Sequence, residues 1–436
     1  MLRASTSLGV IFFPAFDWAI SPTHPEREER LLYTQDQFLE EGIFDIPGIS
    51  EHRPLRATDK DILRTHFCYP TVEAICTESH RISAGGAIQA AKLVMEKKCE
   101  RAFALVRPPG HHAMKVVHGN RGFCNINIEA VMVEWMRTHY GVRRIAIVDT
   151  DCHHGDGTQD VYWHDPDVLF ISLHQDGRTL YPGSGFLNEN GGPKAAGRTI
   201  NIPLPPQTSD TGYLYAIEHA VLPILKSFKP DIIINSAGQD NHYSDPITNM
   251  HFSAQGYARL NELLQPDIAV LEGGYSIKGA LPYVNLGICL AMAGCDYSGV
   301  KEPDYNPDHL REQPDTLEYI KQLSDEVLDA YFHPPVPLAK KEGLFFVRER
   351  KIYYDTEGIL EKQREELKDC ENCRGYRLIK TESDRILPCL GVEIPVDACP
   401  LCEKEALAAF AQKDDGYLIG QLIDQKNRRF TYRPGS

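Results

Sequence analysis

The sequence predicts a three-layer α/β/α sandwich, because short apolar runs alternate with segments of helix length. The runs are rich in Val, Ile and Phe and apolar throughout, which is typical of strands buried on both faces of a parallel sheet. Polar residues follow several of these strands immediately, at the carboxyl edge where α/β proteins place their active sites. The predicted strands are residues 102–107, 144–148, 168–172, 231–235 and 267–271, and the predicted helices are 85–98, 127–139, 211–228, 253–264 and 316–331.

The length of the chain indicates its domain organisation, and its net charge limits the classes of ligand that it can bind. A chain of 436 residues suits a large α/β domain with a smaller appendage. The net charge of -15 argues against direct nucleic-acid binding, which needs a basic surface, and is compatible with a cationic substrate. No apolar run is long enough to cross a membrane, and the N-terminus lacks the pattern of a signal peptide. We therefore expect a cytoplasmic protein without a membrane partner, and leave open whether it forms a homo-oligomer.

A metal site is predicted in the acidic and histidine-rich segment 149–156, Asp-Thr-Asp-Cys-His-His-Gly-Asp. Asp151 and His153 are two residues apart just past a strand, so an extended backbone points both side chains the same way. Asp240 follows another strand and can supply a third ligand, which leaves an open position for water on a catalytic zinc. With two anionic ligands the zinc acidifies water weakly, so we expect a base nearby. For a single Asp or His, a helix cap or turn is the alternative interpretation.

Five motifs in this order resemble the histone deacetylase / acetylpolyamine amidohydrolase family. They are Arg107-Pro-Pro-Gly-His-His112, Gly122-Phe-Cys-Asn125, the segment 149–158, Ser236-Ala-Gly-Gln-Asp240 and Glu272-Gly-Gly-Tyr275. The resemblance covers about residues 1–330 and implies the arginase–deacetylase fold, with an eight-stranded parallel sheet between helices. It also implies that Asp151, His153 and Asp240 bind the catalytic zinc. We predict a catalytic domain over residues 1–332.

Proton transfer is predicted at the adjacent histidines His111 and His112. Amide hydrolysis needs a base that takes a proton from water and an acid that protonates the leaving amine. The resemblance implies that His112 does both with Asp156 as its orienting carboxylate, and that His111 pairs with Asp149. Which imidazole moves the proton stays open, because coupled neighbours titrate as a pair. The phenol of Tyr275 is expected to donate to the carbonyl oxygen as that oxygen gains charge.

The resemblance also implies a tunnel for an acylated amine. Gly122, Phe123 and Tyr181 correspond to the tunnel walls, whose aromatic rings would bury the methylenes of a long side chain. Ile247 corresponds to the tunnel mouth, where a polyamine-selective relative has an acidic residue, so its apolar side chain favours acetyl-lysine. Gly274 lets its loop pass close to the substrate.

Potassium or sodium sites rest wholly on the resemblance, since such ions take oxygen ligands that leave little trace in a sequence. The first site corresponds to Asp149, Asp151, His153, Ser172 and Leu173, and the second to Tyr162, Asp165 and Val168.

The C-terminal residues 338–436 differ in character and follow a proline-rich break at 333–337. Two CxxC pairs, Cys370 with Cys373 and Cys399 with Cys402, predict a closed structural zinc site. We expect a small module with little core that gains folding energy from its metal. A redox pair or uncoordinated thiols are the alternatives. The role of the module is open between partner binding, substrate recognition and oligomer contacts.

The function expected from these features is removal of acetyl groups from lysine side chains of proteins. An acetylpolyamine or another small amide is the alternative substrate. A non-catalytic acyl-lysine binding module is less consistent with Tyr275 and both histidines. An arginase-like hydrolase would need a second metal and more Asp ligands than the sequence displays.

Overall fold

The computed structural model describes residues 3–308, 310–335, 339–386, 388–412 and 416–434. Their strands form one eight-stranded sheet, one seven-stranded sheet and one pair of short strands. The predicted proline-rich break and the domain start at residue 338 lie partly outside the described residues.

The eight-stranded sheet is entirely parallel, with the strand order β2-β1-β4-β10-β9-β6-β7-β8. This sheet confirms the predicted fold class. The short strands β3 and β5 pair with each other outside it. The strands in chain order are β1 Leu8–Phe13, β2 Ile49–His52, β3 Phe67–Cys68, β4 Arg101–Val106, β5 Val116–Val117, β6 Ile145–Asp149, β7 Val168–Gln175, β8 Thr199–Leu204, β9 Ile232–Ala237 and β10 Ile268–Leu271.

Helices cover both faces of this sheet, and each face has its own apolar core. Helices α4, α5 and α6 contribute to one core, and α1 and α7–α11 contribute to the other. A π-helical turn at Ile217–Val221 joins α7 to α8, so the predicted helix 211–228 is interrupted. The helices are α1 Leu32–Glu40, α2 Asp59–Leu63, α3 Val72–Ile75, α4 Glu78–Met95, α5 Ile128–Tyr140, α6 Asp156–Tyr162, α7 Asp210–Ala216, α8 Leu222–Phe228, α9 Ala254–Leu264, α10 Leu281–Met292, α11 Pro314–Phe332 and α12 Pro400–Ala411.

Two edge strands were not predicted, for different physical reasons. Strand β2 buries only Ile49 fully, so its sequence carries no apolar run. Strand β8 contains Asn201 and Pro203, and proline is tolerated there because β8 is an edge strand that needs no outer hydrogen bonds. Helix α4 begins at Glu78 rather than at residue 85, because Thr77 and His80 cap its first turn.

No helix within the described ranges combines the length and the apolar character needed to cross a bilayer.

The seven-stranded sheet is formed by the C-terminal region, residues 339–434. Its strands follow chain order and are antiparallel, except for the parallel pair β15 and β16, which α12 connects. Buried apolar residues of β15, α12 and β16 form a separate core, so the expectation of a module with little core is wrong. The strands are β11 Lys340–Glu342, β12 Phe345–Tyr354, β13 Ile359–Lys368, β14 Arg377–Ser383, β15 Cys389–Ile394, β16 Ile419–Asp424 and β17 Arg429–Pro434.

Ion pairs join the two sheets around Asp160 of α6. Its carboxylate lies 2.9 Å from the guanidinium of Arg348 and 2.6 Å from that of Arg350, both on β12. The second carboxylate oxygen accepts a hydrogen bond of 3.1 Å from the backbone N–H of Lys115. The side chain of Asp160 is only 2% exposed, so these partners offset the cost of burying its charge.

We expect Asp160→Ala to lower the free energy of unfolding by about 2–3 kcal/mol, because it leaves buried donors unpaired. Urea unfolding of the full chain measures this. The matched control is Glu382→Ala, which removes an exposed ion pair with Lys362 and should change stability little. Equal unfolding midpoints for the two variants would contradict a stabilising role of Asp160.

Candidate active site

The site forms at the carboxyl edge of the eight-stranded sheet. Asp149 is the last residue of β6, Asp240 follows β9, Tyr275 follows β10 and His112 follows β4. Since these strands are parallel and adjacent, the residues that follow them meet at one edge.

The three predicted zinc ligands lie together and are buried. One ligand atom from each of Asp151, His153 and Asp240 lies within 4.8 Å of the others. The Nδ1 atom of His153 is 2.8 Å from Asp240 Oδ2 and 3.2 Å from Asp151 Oδ1. Two carboxylates and one imidazole nitrogen match the donor set of a catalytic zinc.

Backbone groups fix the orientation of both ligating carboxylates. Asp151 accepts hydrogen bonds of 2.7 Å from Gly273 N and 2.8 Å from His153 N. Asp240 accepts one of 2.8 Å from Cys152 N. A Cβ atom at Gly273 would collide with the carboxylates of Asp151 and Asp240, so only glycine lets the loop close around them. The residues therefore fit a divalent ion, with ligands held before it binds.

Each histidine of the predicted pair has its own carboxylate. His111 Nδ1 lies 3.1 Å from Asp149 Oδ2, and His112 Nδ1 lies 2.7 Å from Asp156 Oδ1. The two ring centroids are 4.1 Å apart. These are the two pairs that the sequence predicts. In both rings the carboxylate binds Nδ1, so Nε2 is the nitrogen on the opposite side of the ring.

Burial and charge separate the pKa values of the two imidazoles. Burial, together with the neighbouring charge of His111, lowers the pKa of His112 to about 3. Burial alone would also lower the pKa of His111, but the carboxylates of Asp151 and Asp149 raise it well above its usual value. His112 is therefore the neutral member of the pair at neutral pH, before any metal charge is added.

The loop that carries Tyr275 is held by residues that the sequence did not indicate. Tyr275 N donates to Asp245 Oδ2 at 2.7 Å, and Gly274 O accepts a hydrogen bond of 2.7 Å from Arg30 Nε. The guanidinium of Arg30 also lies 5.0 Å from the centre of the Tyr275 ring. Arg30 pairs in turn with Glu26 at 2.7 Å. In the sequence this pair belongs to a charged run that is typical of a solvated helix start.

Arg121 is a further site residue, and it was not predicted from the sequence. Its guanidinium lies 2.7 Å from Asp156 Oδ2 and donates to the hydroxyl of Tyr181 at 2.8 Å. It therefore ties the carboxylate behind His112 to one of the predicted tunnel walls. Its position next to Gly122-Phe123 was the one signal that could have found it.

The predicted wall residues approach the catalytic side chains. The ring of Phe123 lies 5.6 Å from that of Tyr275, and the ring of Tyr181 lies 5.2 Å from that of His112. Phe123 has a φ of 71°, a left-handed conformation that costs a residue other than glycine roughly 1–2 kcal/mol. Ile247 is half-buried and donates its N–H to Asp245, which also binds the Tyr275 loop.

The two predicted monovalent-ion sites differ in their surroundings. Ser172 lies directly opposite Asp149 in the pairing of β6 with β7. The carboxylate of Asp165 already pairs with Arg137 at 2.6 Å and Arg374 at 3.1 Å. A cation at this second site would thus depend on backbone carbonyls. The other predicted positions, Tyr162, Val168 and Leu173, are buried.

The four cysteines of the C-terminal region also cluster. Their sulfur atoms lie within 4.8 Å of one another, and none of them forms a disulfide. Cys370 and Cys373 follow β13, while Cys399 and Cys402 lie at the start of α12. This spacing suits one tetrahedral zinc ion.

We expect Gly273→Ala to weaken zinc binding at the Asp151, His153 and Asp240 site by about tenfold or more, because the added methyl group displaces two ligands. Titration of the metal-free protein with zinc measures the affinity. Gly299→Ala is the matched control, since its Cβ would meet open space. Zinc affinities of both variants equal to that of the unmodified protein would contradict the steric role of Gly273.

The sequence is similar to those of known deacetylases. The histone deacetylase domain matches residues 68–285. A probable deacetylase of Archaeoglobus fulgidus is 45% identical over 337 residues, which is 70% of this chain and 92% of the relative. A histone deacetylase-like amidohydrolase of Pseudomonas aeruginosa is 30% identical over 311 residues, 64% of this chain and 78% of that protein.

Among solved structures, the crystal structure of the HDA15 HD domain superposes with a TM-score of 0.65 and 26% identity, covering 75% of this chain and 96% of that one. Three observations support the same family: the parallel sheet, the cluster of Asp151, His153 and Asp240, and the similarity to most of the archaeal relative. The chain belongs to the histone deacetylase family and is a deacetylase that hydrolyses the amide of an acetylated amine.

Proposed function

We propose that the protein is a zinc-dependent deacetylase that acts on acetyl-lysine in proteins. The observation that carries this proposal is the apolar surface near the zinc ligands, where the rings of Phe123 and Tyr181 approach Tyr275 and His112. Aromatic rings suit the four methylenes of a lysine side chain. A polyamine would bring a second ammonium group, which Ile247 cannot pair.

The chain's own side chains supply the proton transfers. Asp151, His153 and Asp240 would hold zinc, which supplies a Lewis acid for the carbonyl group and lowers the pKa of water. We infer that His112, oriented through Nδ1 by Asp156, takes the proton of the attacking water at Nε2. The same imidazole then delivers this proton to the leaving amine as the C–N bond breaks.

Two further side chains, Tyr275 and His111, stabilise charge that develops during the reaction. Tyr275 donates its phenolic hydrogen to the carbonyl oxygen while that oxygen gains negative charge. His111, paired with Asp149, lies against the ring of His112 and acts on the reacting groups electrostatically.

We propose a second, structural zinc on Cys370, Cys373, Cys399 and Cys402, supported by the clustering of the four sulfur atoms. Residues 1–332 and 338–436 would form two domains, since each sheet has an apolar core of its own, and a further buried cluster would pack across their boundary. Potassium or sodium at the two predicted sites, a cytoplasmic location and a homo-oligomer stay predictions.

We expect kcat/KM for an acetyl-lysine peptide to exceed that for acetylputrescine by about tenfold or more, since an unpaired ammonium group at an apolar site costs at least that factor. Both substrates are compared at matched concentrations with the zinc-loaded protein. The reverse order would support the small-amide alternative instead.

Tyr275→Phe is the control for catalysis in this comparison. It should lower kcat by about 10²–10³, as loss of one donor to a developing oxyanion does, while the zinc content stays unchanged. An unchanged rate would contradict the proposed role of the phenol.

Cys402→Ser should reduce the zinc content from about two ions per chain to about one, because a hydroxyl is a poor zinc ligand, and should lower the melting temperature. Elemental analysis of the purified protein measures the content. Cys295→Ser is the control, since this cysteine lies outside both clusters. Two ions in both variants would exclude the four-cysteine site.

A further inference from the structure

The segment 115–123 connects the catalytic histidines to the tunnel wall. It begins three residues after His112 and ends at Phe123. The C-terminal sheet covers this segment with side chains from four of its strands. The polar contacts are Lys115 Nζ to Glu393 Oε1 at 2.6 Å, Tyr354 hydroxyl to Val116 O at 3.0 Å, and His118 Nε2 to Thr381 Oγ1 at 2.9 Å. Val116 also belongs to one buried apolar cluster with Ile379, Cys389 and Ile423.

The turn between β12 and β13 binds the last part of the segment through three hydrogen bonds. Gly122 N donates to Asp355 Oδ1 at 3.0 Å, and Asn120 N donates to Glu357 Oε2 at 2.8 Å. The hydroxyl of Thr356 donates to Asn120 Oδ1 at 2.6 Å. Three consecutive residues of this turn therefore hold the backbone next to the predicted wall.

Asp355 binds the backbone at a dipeptide whose conformation is intrinsically unfavourable. Gly122 and Phe123 both have positive φ angles, 52° and 71°. Glycine adopts this conformation freely, but phenylalanine does so only when its surroundings impose it. Gly122 also packs on the ring of His112, where a Cβ atom would collide with the imidazole. A shift of this dipeptide would thus move one tunnel wall and disturb the proton-transfer residue.

We propose that Asp355 is a positioning residue for substrate binding: its carboxylate fixes Gly122 and thereby holds the ring of Phe123 at the tunnel wall. This inference rests on the proposed role of Phe123 in binding the acylated side chain. It assigns to the C-terminal region, which lies outside the matched histone deacetylase domain of residues 68–285, a part in completing the substrate site. The region then serves substrate recognition through the backbone of the tunnel wall.

The test compares Asp355→Ala with Asp355→Asn in the full-length, zinc-loaded protein. Alanine removes the acceptor for Gly122 N, whereas the amide oxygen of asparagine keeps it and removes only the charge. We expect Asp355→Ala to raise KM for an acetyl-lysine peptide about tenfold with a smaller change in kcat, because it removes a charge-assisted hydrogen bond that orders a binding wall. Asp355→Asn should remain within about threefold of the unmodified KM, and Glu382→Ala, the exposed control on β14, should leave KM unchanged.

A second measurement does not depend on the substrate. Hydrogen exchange followed by mass spectrometry should show faster exchange within residues 116–124 in Asp355→Ala, and not in Glu382→Ala. If this shift occurs while the unmodified protein does not cleave acetyl-lysine, the proposed substrate fails and the positioning of the wall stands. Unchanged exchange and unchanged KM in Asp355→Ala would overturn the positioning role. Equal KM increases in the alanine and asparagine variants would overturn it too, because they would indicate that charge alone acts.

Discussion

Negative charge buried at the carboxyl edge of the parallel sheet is the constraint on which the rest of the site depends. Asp149, Asp151, Asp240 and Glu272 are all fully buried within a few residues of strand ends. Burial raises the pKa of Glu272 to about 7 and that of Asp149 to about 6, because the charged carboxylates lose hydration there. Backbone N–H groups and imidazoles offset part of this cost. A divalent cation held by Asp151, His153 and Asp240 would offset more of this cost.

The same constraint explains why distant arginines belong to the site. Glu26 pairs with Arg30 and with Arg107, each at 2.7 Å, and all three side chains are inaccessible to solvent. Arg30 uses its remaining donors on the carbonyl groups of Glu272 and Gly274, the residues that flank the glycine closing over the zinc ligands. Two cations and one carboxylate leave a net positive charge behind a strongly acidic cluster. The loop that presents Tyr275 is thus held electrostatically as well as by hydrogen bonds.

The site residues that could be predicted from the sequence are those that follow a buried strand directly. Asp151, His153, Asp240 and Tyr275 directly follow apolar runs, so the carboxyl-edge rule brought them together before any coordinates. Arg30 could not be predicted in the same way, because its acceptor Gly274 is 244 residues away along the chain. The edge strand β2 was not predicted because three of its four residues are not buried, and β8 was not predicted because Asn201 and Pro203 interrupt its apolar run, although all six of its residues are buried. The C-terminal sheet was not predicted because strands such as β13 bury the polar residues Glu361, Gln363 and Glu365, so their sequences resemble solvated segments.

The long hairpin of β12 and β13 extends from the cysteine cluster to the segment beside Phe123. Each strand has ten residues, so the hairpin spans roughly 33 Å. The cysteine cluster follows its open end at Lys368, and its turn contacts the segment beside Phe123. Near the middle of β12, Arg348 and Arg350 pair with Asp160 of α6. One end of this hairpin thus lies next to the four cysteines and the other next to Phe123, so a region outside the matched histone deacetylase domain contacts the segment that carries Phe123.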